Sequence, residues 1–289
     1  DVGKCIERNK ENNQRNTNGS ILNMMRDFTL LSYERLICKL KEQGYKFLTF
    51  EEFCLEKESF LHSPEKWVIL RHDVDQKAYN SLKVAKIESA LGVKSTYFFR
   101  VTKGSNCPDV IRAIVNLGHE IGYHYEDMAI AKGDVKVAIK HFADKIEYFR
   151  LFYPVRTICM HGAPTSQWDG KWLWQTYDYH DYNLLGEPYL DVDYSKVFYL
   201  TDTGRCWDGY KVSVRDKIPT YQDLWIQQGL IYHSTHDIIQ GLGNNELPAK
   251  IMITTHPQRW TNNLMEWGYE LLAQNTKNVI KKCLIRFRK

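Results

Sequence analysis

The sequence predicts an α/β fold, a distorted (β/α) barrel of parallel strands with outer helices. Three observations carry this. Apolar, strand-length runs alternate repeatedly with segments of helical periodicity. Polar residues able to do chemistry cluster just after the strand-like runs, where barrel active sites are built. No Gly-x-Gly-x-x-Gly or Gly-x-x-x-x-Gly-Lys-Ser/Thr follows a strand, so a nucleotide-binding sheet has no positive support. A doubly wound open sheet is the other arrangement that periodicity allows.

Residues 1–23 are rich in Asn, Lys, Glu and Arg with almost no apolar periodicity, which predicts a flexible extension. Residues 24–289 are read as one domain. Leu30, Tyr33, Ile37 and Leu40 recur at helical spacing, with Gly44 as the stop. Strands are then expected over 46–50 and 67–72, and a helix over 79–91 carrying Val84, Ile87 and Leu91. A strand over 94–100, a helix over 108–117 and a strand over 119–124 follow. Val135, Ile139, Phe142, Ile146 and Phe149 mark a long helix, and 156–160 the next strand. Strands at 197–201 and 251–255 flank irregular sequence and a short helix beginning at Ser234. A helix over 262–282 comes last.

Composition narrows the function classes. The chain of 289 residues is 43% hydrophobic and 26% charged, ordinary globular values. A formal net charge of +4, with both signs interspersed, gives no nucleic-acid footprint. No apolar run approaches the roughly 20 residues of a membrane span. Seven cysteines (Cys5, Cys38, Cys54, Cys107, Cys159, Cys206 and Cys283) without a Cys-x-x-Cys read as free thiols in a reducing compartment, hence a cytoplasmic protein.

Residues 68–75, Val-Ile-Leu-Arg-His-Asp-Val-Asp, are the densest chemical signal. An apolar strand ends in polar groups that are costly unless they hydrogen-bond, pair or hold a metal. Strand alternation puts Asp73 and Asp75 on one face. They suit either a divalent cation with one carboxylate left as a base, or a salt-bridged pair, with Arg71 as neutralising partner. His124, His161 and His256 fall at or just after other strands. If the strands are parallel, all of them meet Asp73 and Asp75 on one face, supplying the three ligands and open position of a catalytic zinc site.

Gly118-His119-Glu120-Ile121-Gly122-Tyr123-His124 is similar to the second motif of the polysaccharide deacetylase superfamily, whose final His binds the metal. His72-Asp73-Val74-Asp75 resembles the first motif, and Ile253-Thr254-Thr255-His256-Pro257 the last. The three stand in the family's order and span most of the chain. A finer resemblance is to a bacterial branch of deacetylase-like proteins of surface-polysaccharide clusters. It rests on Met160-His161-Gly162-Ala163-Pro164, Glu187-Pro188-Tyr189-Leu190-Asp191-Val192-Asp193, Tyr199-Leu200-Thr201-Asp202-Thr203-Gly204-Arg205 and His256-Pro257-Gln258-Arg259-Trp260. Two departures stand out. Val74 separates the two Asp residues that are adjacent in the common pattern, and Met128 replaces the second metal-binding His. His161 is the expected replacement ligand, with Glu126 and Asp127 as competitors.

The resemblance implies a barrel of the deacetylase type and a divalent metal, zinc first, with cobalt, manganese or nickel as alternatives. Asp73 would be the base and His256 the general acid, while Asp75, His124 and His161 hold the ion. Asp202, Arg205, Arg259, Trp260 and Glu187 are candidates for substrate binding, Asp202 also for orienting His256. Packing or surface pairing is the plain reading of each. His119 and Glu120 are read as structural. The implied activity is removal of an N-acyl group, by expectation N-acetyl, from an amino sugar or sugar nucleotide in surface-polysaccharide biosynthesis. An amidase or cyclic-amide hydrolase on a small non-sugar substrate, and a metal-free carbohydrate-binding member, are the alternatives.

Overall fold

A computed structural model of the chain describes residues 26–207 and 217–287, with side chains to residue 280. The extension expected over 1–23 lies outside them. Seven strands form one sheet: β1 (Lys46–Leu48), β2 (Trp67–Val74), β3 (Thr96–Phe99), β4 (Glu120–Tyr125), β5 (Ile158–Met160), β6 (Phe198–Thr201) and β7 (Lys250–Thr255). Every pairing is parallel, in the order β5-β4-β3-β2-β7-β6. β1 pairs with the first half of β2 (from Trp67) and β3 with its second half (from Arg71). All eight residues of β2 are buried, as expected of a central parallel strand covered on both faces.

The sheet is strongly curled. Three strand spacings separate β5 from β2, about 14 Å in a flat sheet. His161, directly after β5, nonetheless lies 3.5 Å (Nε2) from Asp75 Oδ1, directly after β2. The contact requires that the sheet between β2 and β5 curl around an interior. This is the distorted (β/α) barrel that the sequence predicts.

The helices are α1 (Leu30–Glu42), α2 (Phe50–Leu55), α3 (Lys57–His62), α4 (Ala78–Ala90), α5 (Pro108–Asn116), α6 (Asp127–Ile130), α7 (Val135–Arg150), α8 (Pro188–Asp191), α9 (Pro219–Gln227), α10 (Thr235–Gly243) and α11 (Leu264–Phe287). Local sequence sets their starts. Thr29, Thr49 and Ser234 close capping boxes, Asp134 accepts from Lys136 and Val137 N–H, and Pro108 takes the first turn of α5. α2 and α3 occupy a stretch for which the sequence predicts nothing. Each is six residues long, too short to display a full apolar period.

Strand alternation gives β2 two kinds of polar residue. Arg71 and Asp73 point to the barrel interior, whereas His72 points outward beneath α4. There Glu88, fully buried, accepts from Tyr33 Oη, Tyr97 Oη (2.6 Å), Ser95 Oγ (2.7 Å) and His72 Nε2 (2.8 Å). Burial pushes its pKa up, but His72, His119 and these donors outweigh it and hold it at about 2. His119 packs into the same network through Ser95 Oγ, 3.1 Å from Nδ1. Glu120 accepts from Thr96, Thr157 and the Glu51 N–H on another outward patch. At Gly122 a Cβ would lie 2.3 Å from the Phe98 ring and 2.9 Å from the Thr157 carbonyl, so the close approach of β3, β4 and β5 needs glycine there.

One expectation is corrected. Cys38 is disulfide-bonded, whereas Cys54, Cys107, Cys159 and Cys206 are not in disulfides. The argument for compartment from seven free thiols fails at Cys38. Among the described residues no helix is long and apolar enough to cross a membrane.

Candidate metal centre and active site

Asp75 follows β2, His124 lies on β4, His161 follows β5 and His256 follows β7. Parallel strands bring all four to one end of the barrel. Asp75 Oδ1 lies 3.6 Å from His124 Nε2 and 3.5 Å from His161 Nε2, and its Oδ2 lies 3.8 Å from His256 Nε2.

The outer hydrogen bonds fix what each ring presents. His124 Nδ1 is 2.9 Å from the Cys159 carbonyl, which can only accept, so Nδ1 carries the proton and Nε2 faces the site as a lone pair. Burial first, then His161, lowers the His124 pKa well below the usual histidine value and keeps the ring neutral. His161 Nδ1 lies 2.9 Å from Glu126 Oε2. Burial works against ionisation of Glu126, but His161 and Arg100 hold its pKa at about 2, so this carboxylate also only accepts. Arg100 closes the set with Nη2 2.7 Å from both Glu126 oxygens.

A carboxylate oxygen and two imidazole nitrogens therefore converge. Asp75 Oδ1 is buried and has no hydrogen-bond partner. A tetrahedral ion with bonds of about 2.1 Å sets its ligand atoms about 3.4 Å apart. Asp75 Oδ1 and the two imidazole nitrogens are spaced for such an ion, and all three ligand atoms lie within 4.8 Å of one another. Oxygen and neutral imidazole donors fit zinc and its first-row neighbours. Burial opposes ionisation of Asp75, but its surroundings, His161 first, lower its pKa. A second grouping, Asp73, His124 and Cys159, reuses His124. It fits less well, because Arg71 holds both oxygens of Asp73, Nε to Oδ1 at 2.9 Å and Nη2 to Oδ2 at 2.6 Å.

His256 has a different surround. Its Nδ1 lies 2.6 Å from Asp202 Oδ1, and its backbone N–H donates to Asp202 Oδ2 at 2.9 Å. Arg259 Nη1 comes within 2.8 Å of the same Nδ1, a donor–donor approach reconciled by Asp202, which accepts from both. Burial and Arg259 push the His256 pKa down. Asp202 and Asp75 push harder, and the net position is above the usual value.

The other sequence candidates lie as follows. Asp202 positions His256. Arg259 is buried and donates to the Asp202 carbonyl and carboxylate, so it neutralises Asp202 and is not a free clamp for substrate. Trp260 is wholly buried, packed on Phe28 and Tyr33 with Nε1 2.8 Å from Asp202 Oδ2, and offers no face to a sugar. Arg205 lies over the rings of Phe28 and Trp267. Glu187 is buried and accepts from the Met160 and Tyr189 N–H groups, fastening the end of β5; burial raises its pKa to about 7. Arg259, Trp260 and Glu187 thus spend their polar groups within the protein, whereas Arg205 keeps Nε and Nη1 without a hydrogen-bond partner among the described residues. Met128 is buried in an apolar cluster, and Asp127 is turned onto Tyr123 and His141.

Two residues near the site escape the sequence reading. Gln258 Nε2 donates to Asp75 Oδ2 at 3.3 Å, and Arg100 braces Glu126. Arg100 directly follows β3, so the strand-end rule applied to every strand would have found it. Beside His161 opens a cleft of about 680 Å³ lined by Arg100, Glu126, Ser166, Gln167 and Trp168 among others.

No family model and no curated protein matches the sequence. Among solved structures, the chain is similar to the deacetylase PplD of Streptococcus pyogenes in complex with acetate, at 15% identity and a TM-score of 0.39, over 45% of this chain and 61% of that one. It is similar to BA3943, a CE4 family pseudoenzyme of Bacillus anthracis, at 13% and 0.41, over 76% and 63%. A mutant of the peptidoglycan deacetylase PdaC of Bacillus subtilis matches at 9% and 0.35, over 76% and 98%. The chain thus spans less than two thirds of the first two. Likenesses this distant leave the functional reading to the site's own geometry.

Proposed function

We propose that this chain is a divergent member of the polysaccharide deacetylase superfamily and a metal-dependent hydrolase of an N-acyl amino sugar. The observation that supports this best is the convergence of His124 Nε2 (3.6 Å) and His161 Nε2 (3.5 Å) on Asp75 Oδ1, a buried oxygen with no hydrogen-bond partner among the described residues. Asp75, His124 and His161 would hold the ion. Bound, it supplies a nucleophilic oxygen at neutral pH and Lewis-acid polarisation of the acyl carbonyl.

The remaining steps belong to the chain's own groups. Asp73 Oδ2 lies 3.7 Å from His124 Nε2, and Arg71 fixes its direction, so it is placed to act as the base. His256, with Nδ1–H on Asp202, presents Nε2 to the opposite side of Asp75. Its raised pKa lets it carry a proton for the departing amine. The cleft beside His161 carries Trp168, whose ring is suited to a pyranose face, and Ser166 and Gln167 for hydroxyl groups. An N-acetylated sugar nucleotide of surface-polysaccharide synthesis is the substrate we favour.

The test is amine release from N-acetylated amino-sugar nucleotides and from small amides, with the purified chain as isolated, after chelation and after return of Zn²⁺, Co²⁺, Mn²⁺ or Ni²⁺. Release from sugars only, lost on chelation and restored by metal, supports the reading. Release from small amides alone moves the chain to the amidase alternative, and no release with any metal leaves a binding protein.

A further inference from the structure

α11 is built inside out. Its 24 residues make a rod of about 36 Å. Toward the body it turns mostly polar groups: Glu270 and Gln274 are buried, Glu270 pairing with Lys77 (3.5 Å), and Asn278 Nδ2 donates to the Gly204 carbonyl at 2.8 Å. Toward solvent it turns Met265 (85% exposed), Tyr269 (71%), Leu272 (71%), Val279 (62%) and Ile280 (54%), a stripe at spacings of three, four and seven residues. A helix that packed for stability alone would carry these groups on the other side.

From Lys277 onward the sequence carries charge of one sign. Residues 277–289 include Lys277, Lys281, Lys282, Arg286, Arg288 and Lys289, six cations, and no Asp or Glu. Like charge at this density disfavours pairing two such helices side by side in register. It complements an anionic surface. An apolar stripe beside a basic run is the pattern by which a helix lies in the interface of an anionic bilayer.

We propose that α11 docks this protein on an anionic lipid surface, lying in the interface and not spanning it. The position of the helix gives the docking a purpose. Lys77 and Gly204 follow the strands that carry Asp75 and Asp202, so α11 lies on the rim of the barrel end where the site opens. Docked there, the end of the barrel that carries the site would be held at the membrane surface. The docking stands whether or not the hydrolase reading does.

The test is co-sedimentation of the full chain with vesicles of phosphatidylcholine alone and with about one-third phosphatidylglycerol. Binding to the anionic vesicles only, falling steeply between low and physiological salt, is expected. Leu272→Glu with Val279→Glu, and separately Lys281→Glu with Lys282→Glu, should each weaken it at least about tenfold. Leu151→Glu, at a site 78% exposed and elsewhere on the surface, should leave it unchanged. Failure of the wild-type chain to sediment with anionic vesicles at low salt overturns the proposal. So does a concentration-dependent dimer that Leu272→Glu disperses without any vesicle binding, which would make a second copy the occupant.

Discussion

Glu126 Oε2 lies 2.9 Å from His161 Nδ1, and in the proposed metal centre that contact would stand in for what a histidine at 128 supplies in the common pattern. The common pattern takes two ligands from one segment, four residues apart. In the proposed site the second ligand would come from the end of β5, with Glu126 setting its direction. Val74 is the matching change: it places Asp73 on Arg71 and carries Asp75 past the end of β2 to face both imidazoles.

Glu126→Gln removes the charge that fixes His161 while leaving all three ligands. Loss of such an orienting carboxylate typically costs ~10–100-fold in metal affinity. Competitive titration against a chromophoric chelator should read a loss of that size with fold retained by circular dichroism. Unchanged affinity would leave Glu126 as a partner of Arg100 only.

Asp202→Asn should lower kcat by ~10²–10⁴-fold, the range for losing the carboxylate that orients a catalytic imidazole. The sign on pH follows from the direction of the shift. Asp202 raises the His256 pKa, so its removal lowers it, and the alkaline fall of the rate should move to lower pH. A profile that keeps its alkaline limb in place would remove His256 from the role of acid.

Glu88 gives a prediction about stability that is independent of catalysis. Its carboxyl is held at about 2 against an ordinary 4.5. A depressed folded pKa means stability fully present above about 4.5 and lost as pH falls toward 2. Urea midpoints between pH 5 and pH 2.5 should fall for the wild type and fall less for Glu88→Gln. That variant should also be less stable at pH 7, since four donors lose a charged acceptor.

Much of this was legible in the sequence because periodicity and strand-end chemistry are local. Residues 67–74, the helix that begins at Val135 and the His residues after the strands all declare themselves in short windows. Side-chain direction beyond a strand end does not. Arg259 and Trp260 lie within four residues of His256, yet the 3-10 turn at Pro257–Arg259 folds them back onto Asp202 and into the core. Glu88 looks like a solvated helix residue, although it stands four after Val84 on the buried stripe of α4. That Glu126 supports a ligand and is not one depends on Arg100, a residue brought near only by the fold.

Moving the ligand back should fail. Met128 is 2% exposed in an apolar cluster, so Met128→His buries an imidazole there at about 1–3 kcal/mol and delivers no nitrogen to Asp75. In a His161→Ala background it should not restore metal binding.

The central claim is that His161 holds the ion in place of a histidine at 128. Metal content per chain, by elemental analysis of purified His161→Ala and Met128→Ala after dialysis against trace metal, tests it most directly. The account predicts about one divalent ion in the wild type and in Met128→Ala, and little in His161→Ala. Full occupancy in His161→Ala would contradict it.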